Sequence, residues 1–170
     1  MSKAFTRESD DLPDQPIAPR PASPLPPGAK NYLTPGGAAK LRKELDRLIE
    51  IDRPAIAAAA AADGSRSRVS LLDQRIQHLQ QSLQSAVVVP PPAATEDRVR
   101  FGATVTVRQR DGSESCYRIV GIDETDLDRD WVSWLSPIAK ALINAQLGQR
   151  VRFKFPSGEH ELEIVRISYE

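Results

Sequence analysis

The chain has 170 residues, with 23 Lys and Arg against 23 Asp and Glu, and its formal net charge is zero. That length holds one domain and an appendage, and the charge balance removes the general basic field on which non-specific DNA binding relies. One cysteine, Cys116, and two histidines, His78 and His160, are too few for an internal disulfide or a Cys/His zinc site, which points to a reducing, cytoplasmic setting.

Residues 1–30 hold seven of the fourteen prolines, four acids and four bases, and scarcely any large apolar residue. Such a segment buries too little to offset the entropy of ordering, so it reads as a disordered or polyproline-type tail. It serves either as a soluble leader or as a proline-motif ligand. It lacks the apolar core of a signal peptide, and no apolar run in the chain approaches the ~20 residues that cross a bilayer.

Thr34-Pro35 marks a helix start, with threonine as N-cap and proline at the first helical position. Leu41, Leu45, Leu48 and Ile49 form an apolar stripe behind it. Pro54 should kink the helix, which resumes through the alanine run 55–62 and breaks at Asp63-Gly64-Ser65. From about Arg66 a second stripe, Leu72, Ile76, Leu79 and Leu83, repeats with the four-three-four spacing of a coiled coil. Two such helices joined by a short break predict an antiparallel hairpin over 31–89.

Pro90-Pro91-Pro92 opens a linker, 90–97, and the remainder, 98–170, reads as β-rich. Ala103–Gln109 and Ser115–Val120 flank an Asp111-Gly112 hairpin turn. Trp131–Leu135 is a third strand and Ile138–Ile143 a short helix. Val151–Phe155 and His160–Ser168 close the domain as a hairpin. Seven of nine aromatics lie in this part, so the core is expected here. The fold class is therefore α+β.

Residues that carry chemistry are sparse. Cys116 reads as a small core residue in mid-strand, and both histidines read as surface residues. The acidic run Asp123, Glu124, Asp126, Asp128 and Asp130 is the best metal candidate, but it lacks the glycine and final glutamate of a calcium loop and reads as a solvated loop. No catalytic residue, metal ligand or cofactor site is assigned. Arg66 and Arg68 stand beside Asp63 at the hairpin tip, where guanidinium groups could meet phosphates or carboxylates.

Taken together, these features resemble the bacterial GreA/GreB transcript cleavage factor family, in its GreB-like branch, over residues 29–170. The resemblance rests on Asn31-Tyr32-Leu33-Thr34-Pro35-Gly36-Gly37, Arg53-Pro54, Leu72-Asp73-Gln74-Arg75-Ile76, Phe101-Gly102-Ala103-Thr104-Val105 and Tyr117-Arg118-Ile119-Val120-Gly121. Its most specific part is Ser136-Pro137-Ile138-Ala139-Lys140-Ala141-Leu142-Ile143, followed by Leu147-Gly148. The resemblance implies a coiled-coil hairpin that enters the secondary channel of RNA polymerase core and a C-terminal FKBP-like domain. It places the polymerase-docking surface at Ser136, Pro137, Ile138, Ala139 and Lys140. It also implies a non-enzymatic, monomeric factor that meets nucleic acid only indirectly, within the transcription complex.

At the tip the chain departs from the family pattern. Active members carry a Gly-Asp…Glu-Asn type motif whose two carboxylates help the polymerase hold a second metal ion. Here the sequence is Ala61-Ala62-Asp63-Gly64-Ser65-Arg66-Ser67-Arg68. Seventeen residues separate Pro54 from Leu72, about a dozen fewer than the resemblance implies for active members. Shared between two helices, the loss is about six residues each, or about 9 Å of length. The expectation is a polymerase-binding regulator without cleavage stimulation. The alternatives are a still active cleavage factor, a general protein-interaction module, and a prolyl isomerase with Trp131, Trp134 and Phe153 lining its pocket.

Overall fold

The computed structural model describes residues 25–64, 66–93, 96–156 and 158–169. Most of the proline-rich tail thus lies outside the described residues, as do Ser65 at the tip and residues 94 and 95 of the linker.

Strand β1, Asn31–Leu33, leads into helix α1, Pro35–Arg47. Thr34 caps α1 as expected: its Oγ1 accepts from the Gly37 N–H at 3.0 Å. The proline break takes the form of a π turn over Leu48–Asp52, after which α2 runs Arg53–Asp63. Pro54 has no N–H to donate back along the helix, and the wider turn, in which the Arg53 N–H reaches the Leu48 carbonyl, absorbs the loss. Gly64 ends α2 in the left-handed conformation, φ +74°, its N–H bonded to the Ala60 carbonyl at 2.9 Å. Helix α3, Arg66–Ser85, returns.

The two arms run in opposite directions. The Asn31 side-chain amide reaches Ser82, Glu44 pairs with Arg75 at 2.7 Å, and Arg53 pairs with Asp73 at 2.7 Å. Both predicted stripes face inward at the base, where Leu33, Ala38, Leu41 and Leu79 form a small buried core. Further out the first stripe ends, with Ile49 exposed on the π turn, whereas Ile76 of the second stripe is buried and Leu72 half-buried. Val87 and Val88 belong to β2, Ala86–Val88, which pairs in parallel with β1.

The second body is a five-stranded mixed sheet. Its strands are β3, Ala103–Arg108; β4, Glu114–Val120; β5, Trp131–Ser133; β6, Arg150–Phe155; and β7, Gly158–Tyr169. They lie in the order β5-β4-β3-β7-β6, antiparallel except for the parallel β4–β5 pair. The alternation of β3 sends Ala103, Val105 and Val107 into the core, all fully buried. Short helix α4, Pro137–Leu142, covers that face with Ile138, Ala139 and Leu142. β5 ends two residues earlier than predicted, because Trp134 and Leu135 turn into α4.

The larger of the two buried clusters lies in this part, as expected; its centre is aliphatic, and the aromatics Phe101, Tyr117, Trp134, Phe153 and Tyr169 pack around it, half-buried. One expectation is corrected. Cys116 is exposed, because Ser115, Tyr117 and Ile119 take the inward positions of β4 and the strand's alternation turns Cys116 to the outer face. Among the described residues no helix is long and apolar enough to cross a membrane.

Candidate functional site

The Ser136–Lys140 segment is built by helix capping. Ser136 has extended φ and ψ, its Oγ accepts from the Ala139 N–H at 3.2 Å, and Pro137 occupies the first helical position. Ser136 is half-buried and Pro137 and Lys140 are exposed, whereas Ile138 and Ala139 are buried in the sheet core. The five residues therefore divide: two pack into the core and three keep atoms open to solvent. Replacing Ser136 by alanine should lower stability by about 1 kcal/mol through the lost cap. Thermal unfolding of the S136A variant measures this.

Beside this turn lies a cleft of about 670 Å³ between the helical base and the sheet. Its wall is aromatic. Tyr32 packs edge-on against Trp134, centroids 5.0 Å apart, and lies 5.7 Å from Phe101. Lys140 and Arg100 stand at its polar margin, the latter paired with Glu96 at 3.1 Å. Trp131 faces elsewhere, between Arg118 and Arg129, whose guanidinium carbons lie 4.7 and 5.5 Å from its ring centre. Phe153 packs on the sheet core. The three aromatics considered for a proline pocket do not converge on one cavity.

The acidic run contains the largest departure from expectation. Glu124 is buried, with 8% of its surface exposed. Its carboxylate accepts from the Thr34 N–H at 2.9 Å, from the Gly121 N–H at 3.0 Å and from the Thr34 hydroxyl. It thus sits on the N-terminus of α1, where free N–H groups and the helix dipole favour an anion. Asp123 accepts from Ser82 Oγ and lies 3.0 Å from His78 Nε2 on α3. The two acids join the sheet to both helical arms; they are neither a solvated loop nor, among the described residues, part of a group of three or more side chains able to hold a metal. His78, read as a plain surface residue, belongs to this junction. Gly37 held the missed signal: an ideal Cβ there would lie 1.8 Å from Glu124 Oε1.

The tip lies at the other end of the arms. It is about 40 Å along the helical rise from Thr34, so the structure does not bring Asp63, Arg66 and Arg68 near Ser136–Lys140. Arg66 and Arg68 are exposed, and Asp63 is the last residue of α2. Between residues 54 and 72 the chain has one acid and two bases.

Residues 94–169 match the family described as transcription elongation factor, GreA/GreB, C-terminal. The transcription elongation factor GreB of Neisseria meningitidis is 40% identical over 154 residues, which covers 82% of this chain and 94% of that protein. The chain belongs to the GreA/GreB family of transcription elongation factors. Transcription elongation factor GreA of Thermodesulfovibrio yellowstonii is likewise 40% identical, over 81% of this chain and 96% of its own. A solved GreA/GreB structure from Nitrosomonas europaea overlays at a TM-score of 0.42 and 22% identity, covering 82% of this chain and all of the other. The GreA/GreB C-terminal match takes in α4 with its Ser136 cap and the Asp123-Glu124 junction.

Proposed function

We propose that this GreA/GreB protein docks on RNA polymerase core as a monomer and regulates elongation without stimulating transcript cleavage. In this reading the C-terminal domain has the FKBP-like fold and docks through Ser136, Pro137 and Lys140, with Ile138 and Ala139 fixing their geometry. The helical arms form a coiled-coil hairpin that enters the secondary channel, in the cytoplasm, and meet nucleic acid only within the transcription complex. The factor is not itself an enzyme.

The observation that carries the reading is the tip, where two exposed arginines stand in a stretch with a single acid. Guanidinium groups oppose the approach of a divalent cation, and two-metal hydrolysis needs carboxylate oxygens beside the scissile phosphate. The alignment to the Neisseria GreB adds support: it is 154 residues long yet takes up 82% of 170 residues, so about 15 positions of the relative have no counterpart here. That accords with shortened arms.

The test has two arms. Binding to core polymerase at micromolar concentration, in competition with a cleavage-active GreB, is the expected result; no binding would sink the docking reading. On backtracked complexes the protein should leave RNA shortening at the factor-free rate, and strong shortening would overturn the tip argument.

A further inference from the structure

The proline-rich tail, residues 1–24, lies outside the described residues, and the aromatic cleft opens beside Lys140. The sequence of one suits the chemistry of the other. Pro13, Pro16 and Pro19 recur every three residues, as do Pro21, Pro24 and Pro27. A polyproline helix has three residues per turn, so each triplet presents one continuous proline edge, the form of ligand that aromatic-lined grooves bind at low entropic cost. Pro26 and Pro27 are exposed and lie outside the cleft, which leaves the first triplet as the candidate.

We infer that the segment Asp10–Pro19 of this chain docks in its own cleft, with the Pro13, Pro16 and Pro19 edge against Tyr32, Phe101 and Trp134. Charge favours the same pairing: Asp10, Asp11 and Asp14 lie in and beside the triplet, and the exposed Lys140 at the cleft margin has no ion-pair partner among the described residues. Five residues, 20–24, link Pro19 to Leu25, the first described residue, a span of up to about 20 Å when extended. The tether keeps the segment at an effective concentration on the order of 1 mM, so even weak intrinsic affinity suffices.

The consequence rests on the proposed docking role of Ser136–Lys140. Lys140 belongs both to that surface and to the cleft margin, so the docked tail competes with polymerase. With an intrinsic dissociation constant on the order of 0.1 mM, about nine clefts in ten are filled, and abolishing the contact raises the apparent polymerase affinity about tenfold.

The experiment uses the full chain and its P13A/P16A/P19A variant, both labelled at the indole nitrogens. A thermal melt of each variant that matches the parent's checks that the fold is kept. The Trp134 indole N–H resonance should move in the variant while that of Trp131 stays, and a D10N/D11N/D14N variant should move it part of the way. An unchanged Trp134 resonance in both variants overturns the inference whatever polymerase does. A Trp134 difference that disappears on dilution means that the tail seats on a second copy, and overturns docking within one chain. If Trp134 moves as expected but neither protein binds polymerase, the tail contact stands and the docking role of Ser136–Lys140 fails.

Discussion

Replacing Gly37 by alanine should destabilise the protein by about 4 kcal/mol, whereas the same change at Gly36 should be neutral or slightly stabilising. Both glycines lie in the first turn of α1, where alanine is the better helix former. The difference is what a methyl group meets. At Gly36 there is no atom within 4 Å of an ideal Cβ; at Gly37 the Glu124 carboxylate is 1.8 Å away. Glu124 must then withdraw, which strands the buried Thr34 and Gly121 N–H groups, at about 1–3 kcal/mol for each unsatisfied donor. For a chain of this size, 4 kcal/mol corresponds to a fall of about 10 °C in Tm. A melt of G37A within about 2 °C of the parent would refute the account. A double-mutant cycle sharpens it: once Glu124→Ala has removed the carboxylate, adding Gly37→Ala should cost little, because the two changes break the same contacts.

Reversing the tip charge, as R66E/R68E, should not create a cleavage factor. The expected rate of RNA shortening in backtracked complexes stays within about twofold of the factor-free rate. Carboxylates act on a metal only at coordination distance, about 2 Å, and in the proposed function the arms would stop about 9 Å short of where the family resemblance puts the active tip. Under that proposal charge and length are separate deficits, each sufficient alone. Adding two full helical turns, seven residues, to each arm of R66E/R68E should restore shortening, whereas the same insertion with the arginines kept should not. Strong cleavage by R66E/R68E at native length would show that reach is not limiting.

What the sequence revealed, and what it hid, follows the range of the interactions. The α1 start at Thr34-Pro35, the α3 start at Arg66 and the turn at Asp111-Gly112 depend on neighbours a few residues apart, and the structure has all three where expected. The β1–β2 and β4–β5 pairs are parallel and join strands of three residues to distant segments; no local periodicity specifies such partners. Among the candidate site residues, the short helix was legible from Ile138 on, and the structure starts it one residue earlier, at Pro137, behind a Ser136 cap. The burial of Ile138 and Ala139 was not, since an Ile-Ala pair reads alike on a surface and in a core. Asp123 and Glu124 were misread for a related reason. Five acids in eight positions look solvated, and only the packing of α1 on Glu124 and of α3 on Asp123 draws two of them out of water.

The π turn at Leu48–Asp52 governs more than the proline it accommodates. One extra residue in a helical turn rotates everything beyond it by about 100° relative to everything before it. The base of the hairpin is fixed in azimuth by Leu41 and by the Glu124 contact to α1, so the direction in which α2 presents its far end is set by this single dislocation. Loss of one residue from Leu48–Asp52 would leave the base core intact and swing the tip to a different compass bearing. In this molecule, aim is a property of five residues that belong neither to the tip nor to the Ser136–Lys140 turn.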